Sequence, residues 1–261
     1  MFRTVIRFSA ALRKPECKML ADELKLVKFE KGGARQEEMT YVQAAAFIRT
    51  ALDLGRAGII PAERALHMAI GTAAQFELLL RQKDIIGEWA PAAELTTKNE
   101  AIATVYGAEI WTGYFRWERI PGWRWRMKTS KSKYRAAADF DLQKYSLLFP
   151  LLEQVPHHLR SGAIVKAENG LPIRESSHRA WFRQIARAAG IPDEVYNMDS
   201  RAGGATEADE SGASIEAIQG ALTHTKADTT WRYIRRRSTK IAEVAAARSS
   251  KRAADHGDGT V

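Results

Sequence analysis

Cysteine is almost missing from this chain: its 261 residues include one, Cys17. A lone thiol excludes an internal disulfide and a Cys-rich zinc site. Long apolar runs are missing too. The longest charge-free stretch near the middle, Ala65–Phe76, is 12 residues, too short to span a bilayer. The amino terminus (MFRTVIRF) has no apolar run of signal-peptide length, so the chain is expected in the cytoplasm, without a membrane partner. His157-His158 has no carboxylate or further histidine at ligand spacing, so loop histidines are expected there and no metal. Acids are scarce relative to bases, 31 against 40, which leaves a net charge of +9. Apolar residues at 45% and charged ones at 27% are ordinary for a folded chain and argue against disorder. The length allows one large domain or two small ones.

The basic excess is localised. Residues 113–135 hold Arg116, Arg119, Arg124, Arg126, Lys128, Lys131, Lys133 and Arg135 against Glu118 alone, a charge of +7. Residues 231–252 hold Arg232, Arg235, Arg236, Arg237, Lys240, Arg248, Lys251 and Arg252 against Glu243, again +7. Together they exceed the net charge, so the rest of the chain stands at −5. Charge confined to two segments is the footprint of a polyanion binder; two solvated basic faces are the competing reading.

Periodicity and punctuation give a coarse architecture. Thr40 is placed to cap a helix running to Leu54 and closed by Gly55, with Val42, Ala45, Ile48 and Leu52 on one side. Pro61 opens a second helical pattern that continues to about Gln82, with Gly71 as a potential break. Short apolar runs follow: Ile85–Trp89, Val105–Trp111, Trp123–Met127 and Ala136–Leu142, the last two forming a hairpin around Thr129–Lys133. Residues 142–155 read as a helix broken at Pro150, and Ala163–Ala167 as a short strand. Ser176 or Ser177 caps a helix carrying Trp181, Ile185 and Ala188 and ended by Gly190 and Pro192. Helical segments then follow at Arg201–Ser211, Ser214–Leu222 and Thr229–Arg237. Helices, a small antiparallel sheet, then helices make an α+β domain. Trp111, Trp117, Trp123 and Trp125 interleave with the basic run and are expected in the core, since alternation with Arg124 and Arg126 is ordinary strand patterning.

The stretch Met198–Tyr233 carries the chemistry. Arg201 is followed at +11 by Gly212, at +18 by Gln219, at +21 by Leu222 and at +23 by His224, with Tyr233 nine residues later. In these spacings the chain resembles the tyrosine-recombinase, or phage-integrase, family, whose block runs His-x-x-Arg, Gly, a helix, Leu-Gly-His and a nucleophilic Tyr. The competing reading makes Arg201 a surface arginine, His224 a helix-end histidine and Tyr233 a core aromatic. The resemblance implies a mostly helical DNA breaking–rejoining fold with a small antiparallel sheet, and phosphodiester exchange without metal or cofactor. Tyr233 would be the nucleophile and Arg201 and His224 a phosphate clamp. Lys131 is the best match for the general acid, with Lys128 and Lys133 as competitors. Arg124, Arg126, Lys128, Lys133, Arg232, Arg235 and Arg236 would contact duplex DNA. The implied partners are double-stranded DNA and further recombinase subunits assembled on it, as homo- or hetero-oligomers, in a nucleoid-associated setting. The implied domains are an N-terminal segment 1–37, a remnant of a DNA-clamping domain, a catalytic domain 38–245 and a tail 246–261.

Two catalytic positions depart from the family, and a third departure is milder. Leu80-Arg81-Gln82-Lys83-Asp84-Ile85 fits the end of the earlier catalytic block, which puts Ala73 (Ala74 with a one-residue shift) where that block has its arginine. Met198 stands where His-x-x-Arg has its histidine, and Thr223 where Leu-Gly-His has glycine. On a continuous helix Arg81 is about 12 Å from Ala73 and roughly 80° around the axis, so it is not expected to substitute; Arg64 is the nearest arginine upstream. The expectation is therefore either a site-specific recombinase or integrase acting through a phosphotyrosyl intermediate, or a catalytically impaired DNA-binding accessory of the same fold. A helical DNA-binding regulator is disfavoured, because a reader helix does not require the Arg201–His224–Tyr233 spacing. Glu207, Asp209 and Glu210 would repel DNA and are expected to face solvent or a partner.

Overall fold

The structure is a computed structural model that describes residues 15–26, 35–96, 103–128, 137–234, 248, 250 and 251. Two compact units divide it, Met1–Gln36 and Glu37–Val261. The first contains one described helix, α1 (Pro15–Leu26).

The second unit opens with α2 (Tyr41–Arg56), capped reciprocally: Gln43 N donates to Thr40 Oγ1 at 3.3 Å and Thr40 N to Gln43 Oε1 at 2.9 Å. Its buried face is Ala44, Phe47, Ile48 and Ala51. The stripe expected at Val42 is rotated by part of a turn, and Val42 is exposed, because alanines at 44 and 51 let α2 approach α3 (Ala62–Glu77) closely. A Cβ at Gly55 would lie 2.7 Å from Ala65 Cβ. Helix α3 is buried on all sides from Met68 to Phe76 and runs unbroken through Gly71. A helix without a polar face is a central one; α2 packs on it, as do α6 (Glu175–Ala188) and α7 (Ser200–Glu210).

Helix α3 stops five residues short of the expected Gln82. Leu79 takes φ +53°, and α4 (Gln82–Ile86) starts anew. Leu78, Leu79 and Leu80 are all buried where the chain turns. The single expected sheet is two. Strands β1 (Glu88–Pro91), β2 (Ala103–Tyr106) and β3 (Glu109–Thr112) form an antiparallel sheet of order β1-β3-β2, in which Trp111 pairs with Trp89 and Thr104. Strands β4 (Arg124–Lys128) and β5 (Ala137–Asp141) form the expected hairpin as a separate pair, Arg124 opposite Asp141 and Lys128 opposite Ala137. Trp111, Trp117 and Trp125 are buried, and Trp123 packs against the core.

Pro150 lies in the first turn of α5 (Phe149–Glu153) rather than breaking a longer helix. The preceding loop is held by the Glu77 carboxylate, which accepts from Leu147 N at 3.1 Å and Leu148 N at 2.9 Å. The strand expected at Ala163–Ala167 is reduced to isolated bridges, Arg116 with Ala163 and Lys166 with Pro172. Helices α8 (Ile215–Ala221, capped by Ser214) and α9 (Ala227–Trp231) complete the described unit. Among the described residues no helix is long and apolar enough to cross a membrane.

Candidate phosphate-binding site

Helix α7 begins one residue before Arg201, and its placement depends on two glycines that follow. A Cβ at Gly203 would lie 1.7 Å from the Met39 carbonyl oxygen, and one at Gly204 would lie 2.2 Å from that of Phe76. Helix α7 therefore touches the backbone leading into α2 and the end of α3. The Met39 N–H donates to Asp199 O at 3.2 Å, and Gln75 Nε2 donates to Asn197 O at 3.0 Å.

This contact drives Arg201 into the interior, where it is 2% exposed. Its Nη1 donates to the Leu79 carbonyl and its Nη2 to the Leu222 carbonyl at 2.6 Å. Its Nη2 also lies 3.0 Å from His224 Nε2. A guanidinium only donates, so His224 Nε2 accepts here, and Nδ1–H is left to donate to Thr230 Oγ1 at 3.1 Å. The imidazole ring lies 5.0 Å from the Tyr233 ring, and the Arg201 guanidinium carbon lies 5.1 Å from the same ring. Arg201, His224 and Tyr233, far apart in sequence, thus form one contact cluster.

The surrounding backbone is held equally firmly. Gln219 Nε2 donates to His224 O at 3.1 Å, and the Thr206 hydroxyl, which donates to Ala202 O at 2.9 Å, lies 3.4 Å from Tyr233 O. Of three described non-glycine residues with positive φ, two border Arg201: Leu79 at +53° and Thr223 at +55°. Both carbonyls that Arg201 engages belong to these turns, Leu79 O directly and Leu222 O through the peptide that precedes Thr223. Left-handed backbone at residues with a Cβ costs about 1–3 kcal/mol, and here the same turns aim two acceptors at one buried cation.

Burial pushes the Arg201 pKa down to about 10, the like charge of Arg81 adds to this, and Tyr233 and Asp84 oppose it. Arg81 was expected to lie out of reach. That expectation assumed a helix continuing past Glu77; the turn at Leu79 brings Arg81 to the cap of α4, within electrostatic reach of Arg201. Arg64 sits at the opposite end of α3, ion-paired with Glu168 and 4.4 Å over the Trp181 ring, so it cannot compensate. Ala73 is buried within α3, and Met198 is 58% exposed.

The remaining expected residues divide in two. Arg124 and Arg126 lie on the exposed side of β4 and share Asp139, at 3.2 and 3.0 Å, while Trp125 and Met127, which alternate with them, are buried. Their hydrogen bonds hold Asp139 below the usual carboxylate range. Arg232 is exposed at the end of α9. Lys131, Lys133, Arg235 and Arg236 lie outside the described residues, as does the Lys128 side chain. Glu210 is exposed and Glu207 half-buried, but Asp209 is buried. The solvent-facing expectation fails for Asp209, because α7 is packed around most of its circumference. Among the described residues no group of three or more His, Cys, Asp or Glu could hold a metal ion.

No family model and no curated protein matches the chain. Solved structures do. A crystal structure of XerA recombinase matches at 10% identity, covering 94% of this chain and 74% of that one, with a TM-score of 0.53. A lambda integrase dimer bound to a COC′ core site matches at 13%, covering 88% and 57%, with a TM-score of 0.55. XerH site-specific recombinase bound to palindromic difH substrate matches at 14%, covering 81% and 53%, with a TM-score of 0.53. The chain thus spans little more than half the length of the latter two. The mostly helical α+β architecture is the fold of these recombinases and integrases.

Proposed function

We propose that this chain is the catalytic domain of a site-specific DNA strand-transfer protein of the tyrosine-recombinase kind, with double-stranded DNA as its substrate. The observation that carries the reading is the convergence of Arg201, His224 and Tyr233 around one buried guanidinium. The Tyr233 oxygen attacks phosphorus, and a phosphotyrosyl ester forms as the bond to the 5′-oxygen breaks. Lys131, in the connection between β4 and β5, gives that oxygen its proton, and Tyr233 loses its own to solvent. The charge building on the phosphoryl oxygens is met by Arg201 and by His224, whose Nε2 accepts from Arg201 in the free chain and becomes a donor once the ring proton moves from Nδ1 to Nε2. Reversal by another strand's 5′-hydroxyl completes the exchange, with no metal or cofactor required. Arg124, Arg126, Lys128, Lys133, Arg232, Arg235 and Arg236 hold the flanking phosphates, with further subunits bound alongside on the same DNA.

The experiment uses duplexes selected by the protein from a random-sequence pool, nicked next to each candidate scissile position. We expect a detergent-stable protein–DNA adduct that is lost in Tyr233→Phe and reduced at least a hundredfold in rate in Arg201→Ala. A second reading, a binding subunit without cleavage activity, is favoured by Ala73 and Met198, which put uncharged side chains at two positions where the resemblance places donors. Salt-sensitive binding with no adduct on any selected duplex establishes that reading instead.

A further inference from the structure

Thr230, in α9, is fully buried and touches the site twice. Its hydroxyl accepts from His224 Nδ1–H at 3.1 Å, and its carbonyl accepts from Tyr233 N–H at 2.8 Å. The hydroxyl has no other hydrogen-bond partner among the described residues. The His224 backbone is fixed independently: Gln219 O accepts from His224 N at 3.0 Å, and Gln219 Nε2 donates to His224 O at 3.1 Å. What remains to be set at His224 is the turn of the ring and the nitrogen that carries its proton. Two contacts set them, Arg201 Nη2 at Nε2, 3.0 Å away, and Thr230 Oγ1 at Nδ1. They differ in kind. A guanidinium only donates, so Arg201 admits a ring whose Nε2 is bare; a hydroxyl donates or accepts, so Thr230 matches either tautomer. Which imidazole nitrogen is protonated follows from the hydrogen bond that the other one makes.

We propose that Thr230 is a positioning residue for His224, holding one ring tautomer in the free chain and the other beside substrate. In the free chain the hydroxyl accepts from Nδ1–H. Once a phosphate oxygen takes the Arg201 donor, the hydroxyl rotates and donates to Nδ1, and Nε2–H is left to donate to the phosphate. The ring gives its Nδ1 proton to solvent and takes one from solvent at Nε2, so its charge is unchanged and Thr230 keeps its own proton. The second half of this role rests on the function proposed above; the tautomer held in the free chain does not.

Long-range ¹H–¹⁵N spectra of the full chain labelled at the histidine nitrogens test this, with His224 assigned by its loss in His224→Gln. The parent is expected to show the Nδ1–H tautomer alone. Thr230→Val keeps the shape, removes the hydroxyl and should give a mixture of both tautomers; Thr230→Ala should agree with it, and Thr230→Ser should restore the single form. Thermal midpoints of all three are checked against the parent. Thr229→Val alters a half-buried side chain with no hydrogen-bond partner among the described residues and should leave the spectrum unchanged. With a selected duplex bound, the parent should move to Nε2–H. At saturating duplex, adduct formation should be about tenfold slower in Thr230→Val, the rate equivalent of one hydrogen bond. Duplex affinity should stay unchanged, and Thr230→Ser should recover most of the rate. A Thr230→Val chain with the parent's spectrum and the parent's rate overturns the proposal, since Thr230 then only fills space. If the parent forms no adduct on any duplex, the strand-transfer reading fails and the free-chain spectra decide: one tautomer in the parent and two in Thr230→Val uphold the role of Thr230, and identical spectra overturn it.

Discussion

At Thr223 a β-branched side chain stands at φ +55°, and its buried hydroxyl has no hydrogen-bond partner among the described residues. Glycine adopts this conformation without a Cβ penalty, which explains in physical terms why a Leu-Gly-His pattern suits the turn before the histidine. Relief of backbone strain and removal of the orphaned hydroxyl together outweigh the lost methyl burial and the greater freedom of an unfolded glycine. Thr223→Gly is therefore expected to stabilise the fold by about 1 kcal/mol, raising the thermal midpoint by roughly 2–4 °C. Thr223→Val keeps the strained backbone and should not reproduce that gain. A Thr223→Gly protein that melts below the parent would show that the turn is not strained by its side chain. His224 was legible from its spacing, but its partners were not: Thr230 is six residues away and can be guessed from sequence, whereas Arg201 reaches Nε2 only because two turns converge.

Helix α7 depends on close backbone approach more than on hydrophobic stripes. Its residues Ser200–Thr206 are all buried, yet they are small or polar, so the helical segment expected at Arg201–Ser211 carries no amphipathic stripe to show what it packs on. What packs there is backbone against backbone, at Gly203 on Met39 and Gly204 on Phe76. Gly203→Ala is expected to cost at least about 3 kcal/mol in urea unfolding, since a backbone clash cannot relax as an overpacked side chain does. Gly220→Ala is the matched comparison. It lies in α8 with nothing within 4 Å of an added Cβ, and should stabilise by up to about 1 kcal/mol. Equal effects of the two changes would refute the placement of α7. Helix α2, by contrast, was readable down to its cap, because Thr40 and Gln43 act locally. The end of α3 was not, because whether Leu78–Leu80 turn depends on what surrounds them.

Across the whole molecule, two histidines are folded away in neutral form. Burial holds His67 at a pKa of about 4, with the charge of Lys166 adding and a hydrogen bond to the Ile164 backbone opposing. Burial alone holds His178 at about 4, its ring set against α3 at Gly71. Their free value is 6.5. Between those values the unfolded chain holds more protons than the native one, so stability is complete above pH 6.5 and is lost as the pH falls towards 4. Each histidine contributes a slope of about 1.4 kcal/mol per pH unit. Half-buried Glu77 and Glu207 oppose this, since desolvation raises their pKa values, but from a free value of 4.5. The histidines should therefore dominate between pH 6.5 and 5.5. Urea unfolding across that interval is expected to show a slope that grows from about one proton at pH 6.5 towards two at pH 5.5, and His178→Leu should halve it. A stability that does not change from pH 7 to 5.5 would mean that neither histidine is buried as described.

The sequence by itself determined what depends on spacing and local chemistry: the Thr40 cap of α2, the basic β4–β5 hairpin, the α+β class, and the separations of Arg201, His224 and Tyr233; the cap expected at Ser176 or Ser177 fails, because α6 already begins at Glu175 after an Arg174 that makes no side-chain cap bond. Only the tertiary structure decided which charges meet. Arg201 meets His224, Arg64 is taken by Glu168 and Trp181, Asp209 goes inward, and Arg124 and Arg126 share Asp139. The reason is physical. A cap or a strand alternation is fixed by neighbours a few residues away, whereas the end of a buried helix and the partner of a buried charge are fixed by desolvation, which exists only once the distant parts of the chain have come together.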